Sequence, residues 1–339
     1  MQTFHNRLLF FLTALLVISR FGHAQIRESG TGAPGPARAQ HLTAELISDS
    51  GTIAPGGRSR VALALTLEPG WHVYWIYVGD SGEPPSVKWS VPSGFSVGPM
   101  QYAAPSRLPL SPLMDYGYVG TAVFPFNLSA SPQAPLGKAE LKAHVQWLVC
   151  REVCLPGKAY LGLNFKVVPQ ASSETNKLID TAVGAGPVKL PTSTKIGVTA
   201  TRSTLTLNVV TDKRETSAEY YPLDDDSIRN AADQKIEPSI DGVRLVTERA
   251  DSSDTLPKEL KGVLKLSDGR SYTFNAPVGQ AIAPSGTVAE PGLLLAMALA
   301  LAGGIDRPES DALCLPGTTP QRARACRKCR REQRGAASA

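Results

Sequence analysis

The chain has 339 residues, enough for two domains with cores of their own. Apolar residues make up 42% and charged residues 19%, which excludes an intrinsically disordered protein. The formal net charge is only +5, and much of that excess lies in the last stretch, so the folded part is not read as a nucleic-acid binder.

An export signal comes first. Arg7 precedes an apolar run over 8–18 that is too short to span a bilayer comfortably, and Gly22-His23-Ala24 supplies small residues at the cleavage positions. Cleavage is expected before Gln25, with an uncleaved anchor as the alternative. Residues 25–40, rich in Gly, Pro and Ala, predict a flexible leader.

Between 41 and 168 the pattern is that of strands. Val61 to Leu67, Trp71 to Trp75, Val119 to Leu128, Ala139 to Val149 and Ala159 to Val168 are dense in apolar and β-forming residues, and turn-rich clusters separate them. Short strands with regular turn signals predict an all-β protein with an antiparallel, immunoglobulin-like sandwich. Residues 169–195 read as a linker with one short helix near Thr175 to Val183. Strands return at Gly197 to Thr199, Thr204 to Val210, Gly242 to Thr247, Gly262 to Leu266 and Ser271 to Phe274, so 196–280 predict a second, smaller β-domain. After Pro284 an Ala/Leu-rich run begins, and 286–305 read as the start of a helix too short to span a membrane, which needs about 20 apolar residues. Residues 306–339 are Arg-rich, lack apolar periodicity and are expected to be disordered.

Of five cysteines, Cys150 and Cys154 lie inside a folded segment, and Cys314, Cys326 and Cys329 lie in the tail. Three residues separate the first two, so a tight loop or one helical turn can bring them to the roughly 3.8 Å Cβ separation of a disulfide. A bridge closing so small a loop restricts the unfolded chain little. Spacing alone fits a redox pair and a structural disulfide equally. A metal site fits less well, since it needs further ligands such as His72 or His144. Arg151 and Lys158 are candidates to stabilise a thiolate, and Glu152 opposes them. His72 is read as packed at a strand end, Asp224-Asp225-Asp226 as a solvated loop, and Asp80 with Glu83 as poor grounds for a cation site. No phosphate-cradling glycine loop, H-E-x-x-H or G-x-S-x-G is present, and no cofactor is implied.

The segment Trp147-Leu148-Val149-Cys150-Arg151-Glu152-Val153-Cys154-Leu155-Pro156-Gly157-Lys158 resembles the N-terminal periplasmic domain of the thiol:disulfide interchange protein DsbD and its ScsB-type relatives. The resemblance extends through Gly70-Trp71-His72-Val73-Tyr74-Trp75, Gly79-Asp80-Ser81-Gly82, Pro84-Pro85, Trp89, Pro92-Ser93-Gly94-Phe95 and Asp115-Tyr116-Gly117-Tyr118-Val119-Gly120. It implies an immunoglobulin-like domain carrying one redox pair, matched by Cys150 and Cys154. A membrane domain would supply its electrons, and its partners would be periplasmic thioredoxin-like or disulfide isomerase proteins. Family members are anchored in the inner membrane. The short spacing is closer to the ScsB-like branch. The resemblance also implies an aromatic cap over the disulfide, for which Tyr116 and Tyr118 are the candidates, and Trp147 is a candidate partner contact. By the same resemblance Cys154 is the cysteine that meets the outgoing partner.

The break after Ile305 has a specific reading. A one-base shift through permitted codons for Pro308 to Gly317 yields Leu-Asn-Leu-Met-Pro-Cys-Val-Phe-Pro-Val, which is similar to the first transmembrane redox motif of that family. A truncated frame is therefore expected, with Cys326-Arg327-Lys328-Cys329 accidental. Two other readings stay open: a non-enzymatic exported sandwich that binds partners and carries a structural disulfide, and a soft-metal handler using the thiols.

Overall fold

Side chains that alternate between buried and exposed mark a strand with one face on a core. In the segment 137–150 that alternation places Leu141, Ala143, Val145, Trp147 and Val149 inward and Lys142 and Gln146 outward. The computed structural model describes residues 28–224, 227–250 and 256–282, and this alternation organises it into two β-sandwiches. The export signal, the run at 286–305 and the tail lie outside the described residues. Among the described residues, no helix is long and apolar enough to cross a membrane.

The first sandwich contains β1 (Glu28–Ser29), β2 (Ala37–Ala39), β3 (Leu42–Ser48), β4 (Thr52–Ile53), β5 (Arg58–Leu67), β6 (His72–Gly79), β7 (Ser86–Ser90), β8 (Phe95–Val97), β9 (Ser106–Leu110), β10 (Leu113–Val119), β11 (Thr121–Ala130), β12 (Gly137–Cys150) and β13 (Cys154–Val167). One sheet runs β1-β13-β12-β6-β10-β9, with β4 added on β13 and β7 on β12; the facing sheet runs β2-β3-β5-β11-β8. Leu63, Leu65, Phe124 and Phe126 of the second sheet meet Leu141, Val145, Leu161 and Phe165 of the first. Burying each such side chain contributes about 1.5–3 kcal/mol.

The paired strands β12 and β13 form a hairpin about 45 Å long at the usual rise per residue. Its register is continuous from Gly137 opposite Val167 to Cys150 opposite Cys154. A one-residue slip would turn the whole apolar set out of the core, so packing far from the turn fixes which residues face each other at the turn.

The expected flexible leader is corrected in part, and the short helix expected in the linker is present. Residues 28–39 supply β1, parallel to β13, and β2, antiparallel to β3, with Ala37 in the core. These pairings cover strands that would otherwise be edges. In the linker, α1 (Lys177–Gly184) is capped by Asn176, whose side-chain oxygen accepts from the Leu178 amide, and it buries Ile179. Arg60 ties it to the first sandwich by bridging Asp49 and Asp180.

The second sandwich packs two four-stranded sheets. One comprises β14 (Val188–Lys189), β17 (Ala218–Pro222), β20 (Glu259–Leu266) and β21 (Ser271–Pro277). The other comprises β15 (Lys195–Ala200), β16 (Thr204–Val210), β18 (Lys235–Pro238) and β19 (Gly242–Glu248). Leu205, Leu207, Val243, Leu245, Leu264 and Phe274 fill its core. Both sandwiches belong to one compact unit. Trp75, Tyr116, Tyr221 and Val263 form a buried cluster where they meet, with Tyr221 edge-on to Trp75 and Tyr116 at centroid distances of 6.2 and 5.5 Å.

Burial pushes the phenols of Tyr116, Tyr118, Tyr220 and Tyr221 well above the ordinary tyrosine range. Such phenols stay protonated in the folded chain while those of the unfolded chain ionise near pH ~10. Their contribution to stability is therefore complete below about pH 10 and is lost as the pH rises above it. Thermal melts across this range should show a steep fall in midpoint above pH ~10, with tyrosinate absorbance appearing together with unfolding. Tyrosinate absorbance developing fully in the still-folded protein would contradict this account.

Candidate functional site

Cys150 is the last residue of β12 and Cys154 the first of β13, so the two face each other across the closed end of the hairpin and are joined by a disulfide. Their Cα atoms are 4.1 Å apart. The turn Arg151-Glu152-Val153 is held by the Arg151 amide donating to the Val153 carbonyl at 3.1 Å. Cys150 has no exposed surface, whereas Cys154 and the three turn residues are exposed.

Parity places the disulfide on the outer face of its sheet. Val149 faces the core, so Cys150 points the other way, toward β6. There Cys150 pairs in register with His72, and alternation along β6 puts His72 and Tyr74 on that outer face and Val73 in the core. The hydroxyl of Tyr74 lies 3.5 Å from Cys154 Sγ and also donates to Asp115 Oδ2 at 3.5 Å. Burial and the Asp115 carboxylate raise the Tyr74 phenol to about 12, so it is neutral at any working pH.

Asp115, on β10, has no exposed surface. Its Oδ1 accepts from the Ser81 amide at 3.1 Å and the Ser81 hydroxyl at 3.0 Å. His72 Nε2 is 3.7 Å from Oδ2, and the His72 ring packs edge-on against Tyr74. Ser81 belongs to the turn after β6, where Gly82 has φ +101° and lies so close to the Tyr74 ring that a Cβ there would sit 2.1 Å from it.

The cationic side chains beside the cysteines are engaged elsewhere. Arg151 pairs with Glu152 at 2.6 Å and lies over the Trp71 ring at 5.5 Å. Hydrogen bonding to Arg151 holds the Glu152 carboxyl below its usual range. Lys158 is 3.6 Å from Glu28. Trp71 in turn stacks on His41 at 3.8 Å, and His41 Nδ1 meets Glu68 at 2.7 Å.

The aromatic side chains expected at the disulfide divide differently. Tyr116 donates to Asn230 Oδ1 at 3.1 Å and Tyr118 to the Ala103 carbonyl at 2.7 Å, so their hydroxyls are committed to the seam and to a neighbouring loop. The hydroxyl at the sulfur is that of Tyr74. Trp147 is buried beneath Gly157 and lines a cleft of about 160 Å³ with Glu83, Pro84, Gln146, Pro156 and Lys158. Asp80 serves hydrogen bonds to the Met114 amide and to Asn230. Among the described residues, no cluster of three or more His, Cys, Asp or Glu has the placement of a metal site. Reading the sequence passed over Asp115 and Tyr74 as site residues. The only signal for them was that each lies inside a quoted family motif.

Residues 43–164 match the family model described as thiol:disulfide interchange protein DsbD, N-terminal. No curated protein matches the chain significantly. Among solved structures, the N-terminal periplasmic domain of ScsB from Proteus mirabilis is similar, with 20% identity, 72% of this chain and 95% of that chain covered, and a TM-score of 0.53. A type I cohesin–dockerin complex from Clostridium thermocellum is matched at 14% identity over 37% of this chain and 99% of that one, with a TM-score of 0.24. The ScsB likeness extends over both sandwiches in fold, and the family match ends within the strand that begins at Cys154. The first sandwich is therefore a DsbD N-terminal domain, a member of that thiol:disulfide interchange family.

Proposed function

We propose that Cys150 and Cys154 form a redox-active pair that passes reducing equivalents to exported disulfide proteins, in the manner of the ScsB-like branch of the family. The observation that carries this reading is the asymmetry of the pair, with one sulfur buried and the other exposed at a turn. In the reduced domain the Cys154 thiolate attacks one sulfur of the partner's disulfide, breaking that bond and forming a mixed disulfide. The partner's displaced sulfur takes up a proton. Cys150 then loses its proton and attacks the Cys154 sulfur, the mixed bond breaks, and the second partner sulfur leaves as a thiol. Two electrons and two protons have passed to the partner, and Cys150–Cys154 is oxidised.

Tyr74 and Asp115 are the proposed controlling groups. A buried carboxylate near the sulfur disfavours a second negative charge there, so Asp115 keeps the reduced Cys154 as a thiol. Tyr74 donates to Asp115, and its oxygen is placed to accept the thiol proton. The cleft beside Trp147 is a proposed seat for the partner's chain. The periplasm is the proposed compartment. Thioredoxin-like or disulfide isomerase proteins are the proposed recipients, and a membrane domain of the family type is the proposed donor.

A redox titration with mass-spectrometric assignment of the pairing tests the reading. Structural bridges of secreted proteins lie below about −300 mV, and an exchange pair is expected above that. Cys154→Ser should abolish reduction of a thioredoxin-like disulfide substrate, while Cys150→Ser should trap the mixed disulfide through Cys154. Retained turnover in Cys154→Ser ends the proposal.

Asp115→Asn removes the nearby negative charge, so the Cys154 thiol should titrate at lower pH. A downward shift of one pH unit in its alkylation profile corresponds to about tenfold faster modification at neutral pH. An unchanged profile would remove Asp115 from the mechanism.

A further inference from the structure

The second sandwich reaches the turn beside Asp115 through Asn230. Asn230, in the loop between β17 and β18, is buried, and both ends of its amide are used across the seam. Its Nδ2 donates to Asp80 Oδ1 at 2.9 Å and to the Tyr77 hydroxyl at 3.4 Å, and its Oδ1 accepts from Tyr116 at 3.1 Å. The backbone carbonyls of Asn230 and Ala232 both accept from Arg107 Nη2 at 2.9 Å.

Asp80 is the first residue of the turn that holds Asp115. Its Oδ2 accepts from the Met114 amide at 2.8 Å, and its own amide donates to the Met114 carbonyl at 3.0 Å. The next residue, Ser81, supplies two donors to Asp115, and Gly82 packs on the ring of Tyr74. A continuous set of contacts therefore runs Asn230, Asp80, Ser81, Asp115, Tyr74, Cys154. The turn has glycine with positive φ at each end, +91° at Gly79 and +101° at Gly82, so its backbone has freedom that side-chain contacts must remove.

We propose that Asn230 is a positioning residue for the redox pair, a latch by which the second sandwich fixes the Asp80–Gly82 turn and with it the surroundings of Cys154. The inference rests on the reading of Cys150–Cys154 as an exchange pair. Without the amide, the Tyr116 hydroxyl and Asp80 Oδ1 lose their partners in a buried seam, which is costly, and the turn relaxes to restore them. Ser81 then leaves Asp115, water reaches the carboxylate, and its influence on the sulfur weakens. Asn230 touches neither sulfur and acts only through the turn.

The experiment is a swap in the full chain. Asn230→Asp puts a carboxylate against Asp80 and removes the donor. Combining it with Asp80→Asn restores a donor and acceptor pair with the roles exchanged, while the new Asn oxygen still serves the Met114 amide. The readout is the pH profile for alkylation of reduced Cys154 by iodoacetamide, followed by peptide mass spectrometry so that other cysteines do not contribute. Asn230→Asp should shift the profile to lower pH by about one unit, which speeds modification at neutral pH by roughly tenfold. The double variant should return to the wild-type profile, and Tyr221→Phe, which removes a seam hydroxyl that donates to Glu219 and touches neither Asn230 nor the turn, should leave it unchanged. A wild-type profile in Asn230→Asp overturns the latch. A shift that the double variant does not reverse, or that Tyr221→Phe reproduces, also overturns it. If Asn230→Asp does not fold, Asn230→Ser carries the comparison against Tyr221→Phe, with the same outcomes deciding. Exchange of the wild-type disulfide with glutathione, measured in parallel, tests the underlying reading separately.

Discussion

A carboxylate with no exposed surface is the constraint around which this site is arranged. Removing an ionised Asp from water costs several kcal/mol unless hydrogen bonds replace the lost solvation. Asp115 receives them from the Ser81 amide, the Ser81 hydroxyl and Tyr74. Those donors can approach only because side chains are missing where backbones meet. A Cβ at Gly79 would lie 2.3 Å from the Met114 carbonyl oxygen, and one at Gly117 would lie 2.1 Å from that of Val73. The glycines of the Gly79-Asp80-Ser81-Gly82 and Asp115-Tyr116-Gly117 segments thus serve the burial of one charge, and the aromatic ring beside the sulfur is held by the same turn.

The disulfide inherits its position from packing elsewhere. Leu141, Val145 and Val149 fix the inward face of β12, and the continuous register with β13 then leaves Cys150 and Cys154 no choice of partner or of face. They emerge on the outer surface of the sheet, at the closed end of a hairpin, where β6 covers one sulfur and the turn exposes the other. The core thereby sets which sulfur a partner can reach. A bridge at such a place adds little restriction to the unfolded chain. The buried groups that surround it are a larger investment in this end of the sheet than holding a three-residue turn requires.

Much of the architecture was legible because period-two patterning is local. Thr204 to Val210 coincides with β16, and the runs at 139–149 and 159–168 lie within β12 and at the end of β13. Where strands depend on a partner rather than on their own pattern, the sequence was silent. Glu28–Ser29 and Ala37–Ala39 look like leader because their Gly- and Pro-rich surroundings suggest it, and only the waiting edges of β13 and β3 make them strands. Ala218–Pro222 was missed because Pro222 closes it and two tyrosines give it no alternation; both are buried, Tyr220 in its own core and Tyr221 at the seam. At the site, the cysteine pair was legible from spacing and motif. Asp115 was not, because nothing local distinguishes a solvated aspartate from a buried one. Its partners lie 34 and 41 residues away in sequence. The tyrosines expected at the sulfur, Tyr116 and Tyr118, are close to Asp115 in sequence, yet strand geometry sends their hydroxyls to other partners.

The choice of a hydrogen-bonded carboxylate over a cation has a chemical logic. A lysine or arginine at the sulfur would stabilise the thiolate at rest and make the reduced pair reactive toward any disulfide it meets. Here Arg151 and Lys158 are tied to Glu152, Trp71 and Glu28. The neutral phenol of Tyr74 instead lies between Cys154 Sγ and the buried carboxylate of Asp115, which also accepts from the Ser81 amide and hydroxyl. On the proposed reading, a partner that covered the turn would exclude water and strengthen these interactions, which would couple the reactivity of the pair to docking.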